Sequence, residues 1–311
     1  MRPKLTLFHQ LINQIMKRKL YFLLVLALAL TMTTTSWAQN TTRNEIVDGL
    51  VYSYTDGRTD VAVQSYTDDW NGIVPDKVTL GGMQRPVTVI YNNAFARYTG
   101  TSITIKAPLA TVESRYGIGT YAFYNCKNLE TVTFEGAVGE LFNEIREYTF
   151  YGCSSLKKVN LPATITNIEA FAFGSCQALE DLGPNGLKNV RYLRERAFED
   201  CIGLRGKTIS LPNLICAVDK PFTGIGNLTI DLRENEGIPA SDGSLQGYTV
   251  LVKKGTGDYY RLLWKTQYSP DRIVDEMDDE IGKGYRLWDL NNDGVVNMPD
   301  AQMIIDKIIG K

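Results

Sequence analysis

Histidine is almost missing from this sequence: of 311 residues only His9 carries an imidazole, and it falls in an N-terminal stretch that bears the marks of removal on export. The remaining chain would then have none. That excludes Ser-His-Asp and Cys-His nucleophile arrangements and removes the usual ligands of a catalytic zinc. Carboxylate-only or lysine-based catalysis stays open on this ground. No basic patch with interleaved aromatics occurs, which sets nucleic-acid binding aside. Acid is missing from residues 1–38, which carry Arg2, Lys4, Lys17, Arg18 and Lys19. Without them the formal charge moves from −2 to 28 basic against 35 acidic residues, or −7, a balance that favours solubility over polyanion binding. An apolar fraction of 44% is that of a folded chain, not a disordered one.

Long apolar runs are missing too, apart from one. Met16-Lys-Arg-Lys-Leu20 leads into an apolar core ending at Leu30, and Ser36-Trp37-Ala38 places small residues before a cleavage point. A basic start, a short apolar core and small residues form a secretory signal peptide, cut after Ala38. The core is too short for a membrane span, which needs about 20 apolar residues. No other segment would span a membrane, and no cysteine follows the core to carry a lipid. Met16 is an alternative start to Met1.

What the chain has is a repeat. Ile118, Ala122, Phe123, Cys126 and Leu129 recur in register as Ile145, Thr149, Phe150, Cys153 and Leu156. They return as Ile168, Ala172, Phe173, Cys176 and Leu179, and as Leu193, Ala197, Phe198, Cys201 and Leu204. From Phe to Phe the periods are 27, 23 and 25 residues. Weaker copies flank these at Ile90, Ala94, Phe95 and Tyr98, and at Phe222, Ile225 and Leu228. A period in the twenties implies a solenoid whose units bury their apolar faces jointly. Each slot stacks on itself, so Phe, Cys, Leu and Ile point inward and irregular polar residues point out. Short strands are expected after the Leu slot, as at Val132 and Phe134, with Pro162, Pro184 and Pro212 turning the chain behind them.

This wording of Ile, Ala-Phe, Cys and Leu resembles the BspA-like leucine-rich repeat family of secreted and surface proteins. The resemblance implies a mainly β solenoid of short parallel strands and a role in adhesion. Five cysteines in an exported chain suggest disulfides. Four of them share one repeating slot, however, and parallel side chains on neighbouring coils rarely meet disulfide geometry. They read better as small buried hydrophobes.

Ahead of the repeats, residues 39–48 read as a polar leader. Leu50–Tyr54, Val61–Ser65 and Pro86–Ile90, with turns at Asp56-Gly57, Asn71-Gly72, Pro75-Asp76 and Gly81-Gly82, read as a small β cap over the first coil. Behind them, Thr249–Val252, a Gly turn and then Tyr260, Leu263 and Trp264 resemble a last coil that plugs the other end. The acidic run Asp275–Glu280 reads as a solvated linker. The expected domains are a signal peptide (1–38), leader and β cap (39–89), solenoid with C-terminal cap (90–268), acidic linker (269–284) and a calcium-loop/helix module (285–311).

That last module carries the most specific chemical motif. Calcium takes six to eight oxygen ligands, and a twelve-residue loop supplies them from positions 1, 3, 5, 7, 9 and 12. Here those are Asp289, Asn291, Asp293, the Val295 carbonyl, Asn297 and Asp300, with Gly294 at the sharp turn. Pro299 opens a helix that puts Ala301, Ile304, Ile305 and Ile308 on one face. With Asp in the last position and no helix before it, the loop is similar to a single type I dockerin repeat. That resemblance implies one Ca2+ and a cohesin-like partner, although dockerins usually carry two such loops. The sequence as a whole reads as an exported, non-enzymatic binding or adhesion protein for host matrix proteins, cells or glycans. The rival reading is an assembly component docked through its calcium module.

Overall fold

The structure is a computed structural model that describes residues 41–110, 117–136, 142–237, 240–241, 245, 247–258, 260 and 273–275. It divides into a small unit, residues 41–43 with 55–58, and a large one comprising the rest. In the small unit Arg43 pairs with Asp56 at 2.9 Å, and the Asp56 amide donates to the Thr41 carbonyl.

The described residues open with six strands: β1 (Thr42–Val47), β2 (Leu50–Thr55), β3 (Val61–Tyr66), β4 (Ile73–Val74), β5 (Lys77–Leu80) and β6 (Met83–Ile90). Antiparallel pairs β2–β3 and β5–β6 turn at the Gly-bearing sites read from the sequence. Residues 42–47, expected to lie in a leader, are strand. The strands expected to form the cap also pair with the coils. Strands β3 and β6 run parallel, β4 pairs in parallel with β7 (Ser102–Ile105), and Ile90 bridges in parallel to Ile118. These strands therefore continue the stacking direction of the repeats.

From β7 onward successive coils add short strands to two parallel ladders. The first runs through β4, β7, β8 (Thr131–Phe134) and β10 (Lys158–Asn160), with Ile103, Val132 and Val159 in one buried slot. It ends at a single bridge from Lys158 to Asp181 and resumes as β13 (Thr208–Ser210), β15 (Thr229–Asp231), β17 (Thr249–Val252) and β18 (Ile273–Asp275). The second runs through β9 (Glu144–Ile145), β11 (Asn167–Ile168), β12 (Tyr192–Leu193), β14 (Cys216–Ala217) and β16 (Ala240–Ser241). Strand β18 lies inside the residues read as an acidic linker, so the parallel stack extends past residue 268. The one 3-10 helix described is Ile202–Leu204.

A tight turn closes each coil around the Phe slot, and its backbone is laddered as well. Three amides per turn donate to the next coil, as from Tyr121, Phe123 and Asn125 to the carbonyls of Glu147, Thr149 and Tyr151. The polar backbone is thus satisfied between coils, as burial requires. Two residues per turn are left-handed. Two before Phe stand Asn93, Tyr121, Tyr148, Phe171, Arg196 and Lys220; two after it stand Arg97, Asn125, Gly152, Ser175, Asp200 and Gly224. Inside the turns a column of rings runs through the core. Trp70 stacks on Phe95 at 4.5 Å, and Phe95, Phe123, Phe150, Phe173, Phe198 and Phe222 follow at 5.0–5.4 Å. Tyr248 meets Phe222 edge-on at 6.1 Å. Such offset or edge contacts each add to plain burial. Tyr260 is buried and donates to the Gly237 carbonyl at 3.2 Å; Leu263 and Trp264 lie outside the described residues.

Candidate functional site

All five cysteines are free, and the four of the repeat slot are buried. Each donates its thiol to the Phe-slot carbonyl one coil back: Cys126 to Phe95, Cys153 to Phe123, Cys176 to Phe150 and Cys201 to Phe173, at 3.0–3.1 Å. Burial holds the Cys176 thiol well above the ordinary range, and contact with Cys153 together with burial does the same for Cys126. All four thiols are buried and each is spent on a carbonyl of the neighbouring coil, with no exposure to a substrate, so this column is structural. Cys216 is partly exposed in β14.

The outward side of the turns differs from the irregular polar surface expected. The left-handed slot before Phe holds Tyr121, Tyr148 and Phe171, whose rings stack at 4.8 and 4.9 Å, within 7° of parallel. The slot after Phe holds Tyr124 and Tyr151, stacked at 5.8 Å. The two columns meet edge-on, Tyr121 with Tyr124 at 5.4 Å and Tyr148 with Tyr151 at 5.5 Å. All five side chains are half-buried. The register could have shown them, because they repeat with the same spacing as their Phe neighbours.

Charged residues edge this aromatic row. Arg146 pairs with Glu144 at 3.4 Å and Glu147 at 3.1 Å, and Arg196 with Glu199 at 3.4 Å and Glu195 at 4.0 Å. Arg194 reaches Glu169 at 4.0 Å, and the Arg196 guanidinium sits 5.7 Å over the Phe171 ring. Burial raises the Glu169 carboxyl, opposed by Arg194 and reinforced by Glu144 and Glu147. Burial also raises the Tyr148 phenol, with Tyr121, Glu195, Tyr151 and Glu199 adding to it. The phenol therefore stays protonated at neutral pH.

A second feature is an open cleft of about 220 Å³ where the first ladder is interrupted, lined by Asp181, Gly183, Asn185, Lys188, Lys207 and Ser210 among others. Lys207 donates its ammonium to the Glu180 carbonyl at 2.7 Å and so serves a carbonyl that the interrupted ladder leaves over.

The calcium-loop residues Asp289, Asn291, Asp293, Val295, Asn297 and Asp300 lie outside the described residues, as does the signal segment 1–38. Among the described residues no cluster of three or more His, Cys, Asp or Glu could hold a metal ion. No helix among them is long and apolar enough to cross a membrane.

Residues 88–221 match the BspA type leucine rich repeat region, in six copies. A leucine rich cell surface protein of Faecalibacterium prausnitzii A2-165 shares 22% identity, with 70% of this chain and 52% of that chain covered and a TM-score of 0.51. A leucine-rich repeat protein of Bacteroides ovatus ATCC 8483 shares 21% identity over 68% of this chain and 61% of its own, with a TM-score of 0.44. The leucine rich repeat protein of T. pallidum shares 18%, with 73% and 98% covered and a TM-score of 0.49. The chain spans only about half the length of the first of these and three fifths of the second. No curated protein matches it.

Proposed function

We propose that this chain, built around a BspA type leucine rich repeat region, is an exported binding protein without catalytic activity. On this reading the outward face of its coils holds a host matrix protein, a cell surface or a glycan. The observation that carries it is the repeat region itself. Backbone polarity and apolar side chains are used up between coils, which leaves a rigid face whose outward residues are free to contact a partner. The signal peptide expected over residues 1–38 supports a place outside the cell or on its surface. The relative from Faecalibacterium prausnitzii described as a cell surface protein points the same way by fold alone.

A second reading rests on the twelve-residue loop. Asp289, Asn291, Asp293, the Val295 carbonyl, Asn297 and Asp300 would hold one Ca2+, and the folded loop and its helix would dock to a cohesin-like partner with the repeats as a spacer. The test is an array of immobilised matrix proteins and glycans probed with the full chain in calcium and in chelator. Retention in both supports the repeat face. Retention in calcium alone moves the function to the C-terminal loop, and retention in neither removes the binding reading.

A further inference from the structure

The core does not call for the outward aromatic row. Inward filling is complete with the Trp70–Phe222 column, whose rings lie two residues from the left-handed slots. Those slots suit Asn or Gly, and a side chain of any other kind adopts this conformation at a cost. The preceding coil does use Asn93 there, yet Tyr121, Tyr148 and Phe171 stand in the slot at φ of 61°, 57° and 56°. Three successive coils thus place a large ring on the outside, where a small polar residue fits the backbone better.

What the rings present outward is amphipathic. Their stacked faces are turned toward each other, so the exposed parts are ring edges and the hydroxyls of Tyr121, Tyr124, Tyr148 and Tyr151. None of these hydroxyls has a hydrogen-bond partner among the described residues. Each both donates and accepts. The carboxylates of Glu147, Glu195 and Glu199 line the row, and the neighbouring cations Arg146 and Arg196 are already held by them. A partner must therefore bring apolar C–H surface and many hydroxyl-type donors and acceptors at short intervals, and no negative charge. A membrane surface or nucleic acid would bring phosphates against these carboxylates. A peptide fits less well, because its apolar groups recur on alternate residues and its backbone groups prefer an open strand edge.

We infer that the row formed by Tyr121, Tyr124, Tyr148, Tyr151 and Phe171 is a binding strip for an uncharged glycan chain. Its sugar rings lie along the stack and its hydroxyls bond to the phenols and to Glu147, Glu195 and Glu199. This rests on the reading of the repeat face as the binding surface and names the ligand class and the residues. Gly174 shapes the strip. It stands in the slot that Tyr124 and Tyr151 occupy in earlier coils, and a Cβ there would come 2.7 Å from Tyr151 Cδ2. The Tyr151 ring thus occupies space that only glycine leaves free.

The test titrates the full chain with xyloglucan, mannan and dextran as neutral polysaccharides and with heparin as an anionic one. At least one neutral polysaccharide should bind and heparin should not. The Tyr121→Asn, Tyr148→Asn, Phe171→Asn triple variant suits the left-handed slots and should bind roughly tenfold more weakly or worse, with an unchanged far-ultraviolet dichroism. Should that variant fail to fold, Tyr148→Phe keeps the stack, removes one hydroxyl and should still weaken binding several-fold. Equal affinity of the folded variant, preference for heparin, or no neutral polysaccharide bound overturns the inference. The two failures separate. Retention of a matrix protein with no neutral polysaccharide bound overturns the strip and keeps the wider reading, whereas no retention of protein or glycan overturns both.

Discussion

The Cys153 thiol donates to the Phe123 carbonyl oxygen across one coil at 3.1 Å. The equivalent carbonyl of Phe150 accepts the Cys153 amide at 3.2 Å and the Cys176 thiol at 3.1 Å. A carbonyl has two lone pairs to satisfy when buried, and the thiol supplies the second bond while filling apolar space. That accounts for Cys in this slot better than for any pairing between cysteines.

The first consequence concerns labelling. In the native protein Cys216 should react with a thiol reagent well before the other four, and all five should react in denaturant. Rapid native labelling of more than one thiol would contradict the buried column. Cys153→Ala should cost about 1 kcal/mol for the lost bond, with more from the small cavity, measured by urea denaturation.

Removing a ring from the inner column should cost far more. Phe150→Ala leaves a hole between Phe123 and Phe173 and should destabilise by about 3–5 kcal/mol. Because repeat arrays unfold through neighbour-to-neighbour coupling, the transition should also broaden. An effect under about 1 kcal/mol would show that the column is not the core.

Acid should weaken the protein through Asp231. Arg233 donates to both of its carboxylate oxygens, at 2.9 and 2.8 Å, and holds the carboxyl below the usual range. A folded value below the unfolded one means stability that is full above the unfolded value, near 4, and lost as pH falls through the folded value. The stability gap between the protein and Asp231→Asn should therefore hold from pH 7 to about 5 and close below about 4. A gap that widens in acid would reverse the assignment.

The proposed calcium loop predicts a measurable ion effect. Calcium should bind with a dissociation constant of roughly 10⁻⁴–10⁻³ M, the range of extracellular modules. Asp289→Ala combined with Asp293→Ala should abolish that binding while leaving the unfolding of the repeats unchanged. Calorimetric titration with calcium chloride checks both.

Much of this was legible because the solenoid writes its core once per coil. Phe123, Phe150, Phe173 and Phe198 announce the inner column, and Cys126 through Cys201 announce the thiols. The ends were harder. Trp70 stands 25 residues before Phe95, a full period, yet a change from Phe to Trp and the loss of the other slots conceal it. Strand β1 is polar over its first four residues, with its only apolar residues, Ile46 and Val47, adjacent, and β18 is three residues long, so neither carries alternation to read. The outward row of Tyr121, Tyr148 and Phe171 repeats as faithfully as the core. It is hidden because outward residues are ordinarily free of pattern and bulky rings are uncommon in left-handed turns.

A binding face on the repeats has to show itself where a partner touches the chain. Amide hydrogen exchange of the full protein should be measured alone and with the matrix protein or glycan it retains best. Protection should appear at residues 120–125, 147–152 and 170–175, on the outward turns. Protection confined to residues 285–311, or none anywhere, would contradict it.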